Sequence, residues 1–308
     1  MKLDYRCPAC ILEDITKAIE QLGVSKDVGL EIVKEVVRFL GTEKAYSSPP
    51  SYAITFAHRT IKNKTGLKEP FAELRRQTNL IGKKLAQEIK RALSDFSGGE
   101  LFRELVLWCV SANHLDSRTA GTGYSFEPNR IRAFLESQLK AGLAVDMIDE
   151  FLSLARRSRK ILFIHDNVGE IAFDALLTKE LAKMGAGVTS ALRGGPITSD
   201  ATLEDGGDAG IFEVAECVME AGPDTLGVSL EEMTPQFAET LSQSDLIIAK
   251  GQANYYVLTE YLERNRAKVV FLFSTKCDAV AEKFGLKGKV NIVYVAEEGM
   301  NRTSSSKL

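Results

Sequence analysis

The chain has 308 residues, 44% of them hydrophobic and 26% charged, enough to bury a sizeable core in one large domain or two. A formal charge of -3 provides no positive field to recruit nucleic acid or an acidic membrane as the main partner. The opening MKLDYRCPAC has charges and a proline where a secretory signal needs an apolar stretch, and no run approaches the ~18 residues that span a bilayer; with five scattered cysteines, an odd number, the expected location is the reducing cytoplasm.

From Ile11 to about Ser94 the apolar residues recur at helical spacing, as in Ile11, Ile15, Ile19 and Leu22, then Ile32, Val36, Val37 and Leu40. Pro49-Pro50 and Pro70 mark loops or helix starts, and Ser97-Gly98-Gly99 is a natural break. Residues 1–98 are therefore expected to form a helical subdomain, and 99–308 an α/β domain. Helices are expected at 100–112, 128–140 and 145–157, the last ending in a solvated basic cluster, Arg156 to Lys160. Beyond it, β-rich runs at 161–165, 188–192, 245–249, 268–273 and 290–295 alternate with helical patterns at 169–184, 209–221, 235–242, 254–265 and 277–284. This rhythm predicts a three-layer α/β/α, Rossmann-like domain with a mostly parallel sheet covered on both faces.

In such sheets ligands bind beyond the carboxyl ends of the strands, so the residues after each strand carry the functional signal. The first strand runs into Asp166-Asn167-Val168-Gly169-Glu170, and the second leads through Arg193-Gly194-Gly195-Pro196 to Ser199-Asp200-Ala201-Thr202. The third ends in Lys250-Gly251-Gln252-Ala253-Asn254 and the fourth in Ser274-Thr275-Lys276. Asp166 and Asn167 offer hard oxygen donors of the kind Mg²⁺ or Mn²⁺ takes, and Asp200 adds a third. The competing reading of Asp166 and Asn167 is a helix cap for the helix opening near Gly169. Lys250, the Gly251 backbone and the helix start at Asn254 read as a phosphate cradle, with Lys276 as a second cation on the same rim. Taken singly, these lysines read as surface residues, and only their coincidence at one sheet edge points to a site.

Other motifs are weaker. Asn113, His114 and Asp116 end an apolar helix, and Gly121-Thr122-Gly123 is too short for a phosphate loop. No GxGxxG, GxxxxGK[ST] or GxSxG pattern follows a strand, which excludes the common nicotinamide, P-loop and serine-elbow sites. His58, His114 and His165 read as incidental polar residues rather than bases or ligands. Cys7-Pro8-Ala9-Cys10 fits half a zinc site awaiting Cys109, Cys217 or Cys277, a redox pair, or two small residues packed at a helix start. The terminal Ser306-Lys307-Leu308 reads as a polar tail rather than an address, and Asn301-Arg302-Thr303 has meaning only in a secreted chain.

Taken together, Cys7-Pro8-Ala9-Cys10, Asn113 to Asp116, Asp166 to Glu170, Ser199 to Thr202, Lys250 to Tyr255 and Lys276 resemble the metal-dependent damage-control phosphatases, a family first defined as a domain of unknown function. The match runs in order along nearly the whole chain, and the CxxC resembles the mark of the family's first subfamily, common in archaea. The resemblance implies phosphomonoester hydrolysis assisted by Mn²⁺, Ni²⁺, Co²⁺ or Mg²⁺ on sugar phosphates or damaged phosphometabolites. It implies metal at Asp166, Asn167 and Asp200, phosphate at Asn254 and Lys276 with Lys250, Gly251 and Gln252 nearby, and substrate bordered by Asn113 and Asp116. Catalysis would fall to Asp166, Lys250 and Lys276, with Asp166 serving either the cation or as a nucleophile toward phosphorus. The role of Cys7 and Cys10 stays open within the family, and Ala253 and Ser199 depart from its usual glycine and asparagine. Two rivals stand beside this reading: a protein carboxyl methyltransferase using S-adenosylmethionine, disfavoured by the lack of a glycine-rich loop after the first strand, and a non-catalytic sensor of phosphometabolites. The expected partner is a small phosphorylated metabolite, and nothing in the sequence sets an oligomeric state.

Overall fold

The computed structural model describes residues 1–116, 130–262 and 268–296. Gly121-Gly123 and Asn301-Leu308 lie outside the described residues, as do the first two residues of the helix expected at 128–140 and the end of the one expected at 254–265.

The N-terminal part is helical: α1 (Cys7–Gln21), α2 (Lys26–Leu40), α3 (Glu43–Ser47) and α4 (Pro50–Thr65). Ser25 and Thr42 cap α2 and α3, and Pro50 opens α4 where its missing N–H costs nothing. Ile11, Ile15, Ile32, Val36, Ala57 and Ile61 bring α1, α2 and α4 together around a small core of their own. The next helix, α5 (Ala72–Ala92), behaves differently, because Leu85, Ala86 and Ile89 join the main core of the α/β layer. The small core ends at Phe71, just before α5, and Ser97-Gly98-Gly99 forms the N-cap and start of α6 (Gly98–Ala112).

Helix α7 (Ile131–Ala141) precedes the sheet, and α8 (Ile148–Arg157) follows its first strand. Its strands are β1 (Val145–Asp146), β2 (Lys160–Ile164), β3 (Gly187–Arg193), β4 (Cys217–Gly222), β5 (Leu246–Lys250), β6 (Val269–Ser274) and β7 (Asn291–Ala296), in the order β1-β7-β6-β5-β2-β3-β4. Every pairing is parallel except β6 with β7. Between the strands lie α9 (Ile171–Lys183), α10 (Leu203–Ala209), α11 (Pro235–Gln243), α12 (Gly251–Leu262) and α13 (Asp278–Ala281). Strand alternation splits the interior: Ile161, Phe163, Leu246 and Ile248 face α6 and α9, whereas Leu162, Ile164, Ile247 and Ala249 face α11 and α12. Both faces are covered, which is why these strands read as continuous apolar runs. Among the described residues no helix is long and apolar enough to cross a membrane.

Two expectations need correction. The helix expected at 209–221 is the end of α10, a turn and the edge strand β4. The spacing of Ile211, Val214 and Val218 imitates a helix, but pairing with β3 prevails, leaving Cys217 and Glu220 exposed along an edge. The helix expected from residue 145 starts at Ile148, since Val145 and Asp146 pair with β7. Asp146 instead accepts the Ile148 N–H at 3.2 Å.

The topology also sets the site. From β2 the chain runs outward through β3 to β4, then returns to β5 on the other side of β2. The order therefore reverses between β2 and β5, and a crevice opens beyond their carboxyl ends.

Candidate active site

Two loops meet at that crevice. The Val168 N–H donates to the Ser199 carbonyl at 2.8 Å, the Ala201 N–H donates to the Asp166 carbonyl at 2.7 Å, and Asn167 pairs with Asp200 as an isolated bridge. This backbone zip brings Asp166, Asn167 and Asp200 together from two strand ends. Neither Asp166 nor Asn167 caps α9, whose N-cap is Glu170 without a side-chain bond, so the capping alternative is excluded. Asn167 instead donates to Asp166 Oδ2 at 2.6 Å, and its Oδ1 lies 2.8 Å from the Ser199 hydroxyl.

Helix α5 braces the same loops from outside. The Arg75 fork, nearly fully buried, donates to the Thr198 carbonyl at 3.0 Å, the Asp200 carbonyl at 2.7 Å and the Asp205 carboxylate at 2.5 Å. Asn79 accepts the Gly169 N–H at 2.8 Å, and Gly82 lets the helix backbone touch that of Gly169. Neither Arg75 nor Asn79 was singled out from the sequence, because an isolated polar residue on an amphipathic helix looks like a solvated face.

The carboxylates are crowded and dry. Asp166 is buried, and burial with the negative charge of Glu170 and Asp200 pushes its pKa well above the usual carboxylate range. Asp200 is raised by burial too, although Arg193 donates to its Oδ2 at 3.0 Å and the Gly227 N–H at 2.8 Å. Among the described residues the buried Asp200 Oδ1 has no hydrogen-bond partner, a costly omission for a carboxylate oxygen. Across the crevice Lys276 forms an ion pair with Asp116, whose other oxygen lies 2.7 Å from the Ser199 hydroxyl. Burial alone would lower the Lys276 pKa, but Asp116 and Asp166 more than offset it and keep the ammonium charged. The Lys276 N–H donates to Gln252 Oε1 at 2.8 Å.

These groups share one cavity of about 240 Å³. Asp116, Asp166, Asn167, Asp200, Gln252 and Lys276 form its floor, and Cys7, Cys10, Ile11 and Ile54 of the helical part close its far side. Asn113 sits beneath, donating to Asp166 at 3.2 Å and Glu170 at 2.8 Å while accepting the Ser274 N–H. Gly251 supports Asp166 by shape: its φ is +77°, and a Cβ there would overlap the Asp166 carboxylate.

Lys250 and Asn254 differ from expectation. Lys250 is fully buried away from the cavity, 3.1 Å from Glu170 and 2.9 Å from Asp174. It shares a strand face with Leu246 and Ile248, which aims it at α9 rather than at a ligand. Asn254 donates to the His165 and Lys250 carbonyls and accepts from Val228 N–H and Arg193, tying strand ends together. His165 joins the Lys250 network through Asp174 at 3.0 Å. All five thiols are free, and of the remaining cysteines only Cys277 reaches the cavity of Cys7 and Cys10.

The model of the damage-control phosphatase ARMT1-like domain matches residues 3–290 of this chain. The chain belongs to that family. An Archaeoglobus fulgidus damage-control phosphatase is 29% identical, covering 96% of this chain and 100% of its own length. A Pyrococcus horikoshii damage-control phosphatase is 30% identical over 92% of this chain and 94% of its own. A crystal structure of a DUF89 family protein from P. horikoshii superposes with a TM-score of 0.84 at 27% identity, covering 97% of this chain and 99% of that one. The α/β architecture is thus that of the family, and two of its relatives are named damage-control phosphatases.

Proposed function

We propose that the chain is a phosphatase that hydrolyses small phosphomonoesters with a divalent cation held by Asp166, Asn167 and Asp200. The observation that carries this reading is the buried, unpartnered Asp200 Oδ1 beside a crowded Asp166 carboxylate, both on the cavity that Lys276 enters. Crowded anions and an orphaned oxygen are what a hard cation satisfies, and the donors are oxygen atoms suited to Mn²⁺, Mg²⁺, Ni²⁺ or Co²⁺. Among the described residues no three His, Cys, Asp or Glu side chains form a ligand cluster. The two carboxylates and the amide would therefore leave positions to water and substrate. When bound, the cation supplies Lewis acidity toward a phosphate oxygen and lowers the pKa of a water.

The chain's own residues supply the rest. Lys276 neutralises charge on the transferring phosphoryl group, and Asp116 fixes its ammonium at the rim. The Ser199 hydroxyl, between Asp116 and Asn167, orients both oxygen donors. Asn113 holds Asp166 from below, itself fixed by Glu170, which Lys250 pairs. The test is phosphate release from a panel of phosphomonoesters with each of the four metals, repeated on Asp166→Ala. Release that depends on metal and falls at least 100-fold in the variant supports the proposal, and metal-independent release overturns the assigned site.

A further inference from the structure

Cys7, Cys10, Ile11 and Asp14 occupy positions i, i+3, i+4 and i+7 of α1, so all four lie on one stripe, and that stripe lines the cavity opposite the carboxylates. Ile54 from α4 and Leu226 continue the wall. The charged groups on this side are already engaged. Arg6 binds Asp4 and Glu282, Asp14 lies 2.6 Å from His58, and Asp278 accepts the Gly288 N–H at 2.7 Å. Cys7 is half-buried and Cys10 exposed, and both turn small, polarizable sulfur to the cavity.

A polyhydroxylated leaving group placed here would lose water from several hydroxyls and find, among the described lining residues, little beyond the unpartnered Thr198 Oγ1, whereas a hydrocarbon one would only gain burial. We infer that this face of α1, with Ile54 and Leu226, is a leaving-group subsite that selects phosphomonoesters whose leaving group is apolar over those of sugars. The inference rests on the phosphatase reading and gives the CxxC a part in it: a smooth, soft wall at helical spacing.

The test compares kcat/KM for n-hexyl phosphate and glucose 6-phosphate on the purified chain with Mn²⁺. The expected ratio favours hexyl phosphate at least tenfold. In Ile54→Asn, a half-buried position, the ratio should shrink at least threefold through a higher KM for hexyl phosphate, and Ile54→Leu should restore it. Glucose 6-phosphate hydrolysed as well as or better than hexyl phosphate overturns the subsite and leaves the phosphatase standing. Release from neither substrate with any of the four metals overturns the subsite, while the phosphatase reading stands or falls on the wider panel. Because the first comparison uses the unaltered chain, a variant that fails to fold does not remove the test.

Discussion

Replacing Gly251 by alanine probes the contact between backbone and acid at the centre of the site. An L residue at φ +77° costs about 1–2 kcal/mol in backbone strain. The new methyl would also displace the Asp166 carboxylate from Asn113 at 3.2 Å and Asn167 at 2.6 Å. Weakening two hydrogen bonds to Asp166 adds about 2 kcal/mol, so the whole change costs about 3–4 kcal/mol. For a chain of this size the melting temperature should fall by about 6–8 °C. In an Asp166→Ala background the obstruction is gone, and the same glycine change should cost only the backbone part, about 2–4 °C. Differential scanning calorimetry on the four proteins of this cycle reads a coupling of about 2 kcal/mol, and a coupling below about 0.5 kcal/mol would refute the steric argument. The single variant should lose more than 100-fold in metal-dependent phosphate release, because the oxygen donor itself has moved.

Three further outcomes follow from the same geometry. Lys250→Met leaves Glu170 and Asp174 buried without their cation and should cost about 3–5 kcal/mol in urea unfolding, far more than loss of a surface lysine. Arg75→Lys replaces a fork that grips the Thr198 and Asp200 carbonyls; the Mn²⁺ concentration needed for half-maximal activity should rise about 10–100-fold, with a smaller change in kcat at saturating metal. Asp245 accepts the Arg159 and Lys160 N–H groups, each at 2.8 Å, which hold its pKa below the usual carboxylate range. Its stabilisation is therefore complete above the unfolded pKa of about 3.9 and fades as pH falls through the lower folded value; Asp245→Asn should narrow its melting-temperature gap from the parent chain between pH 5 and pH 3.

The strand ends were legible because buried parallel strands are apolar, so Asp166, Asn167, Asp200 and Lys276 stood out where the chain left the sheet. The alternation of β5 explains where Lys250 lies. Two steps from Ile248 along the strand, it must face α9, where Glu170 and Asp174 stand four residues apart on the partner helix. That pairing was available from the sequence once the strand's faces were assigned. Strand β4 was hidden by helical spacing in a polar edge, a pattern settled only by pairing with β3. The contributions of Arg75 and Asn79 come from a separate helix brought close by tertiary packing, and no local pattern announces them.

The small core shared by α1, α2 and α4 is distinct from the core on the α12 face of the sheet, yet both border the same cavity. Side chains on the helical rim can be exchanged without unsettling the acid pair, because each is anchored by a different interior. Such a molecule can drift in what it accepts while keeping how it reacts, as a lathe keeps its spindle when the chuck is changed.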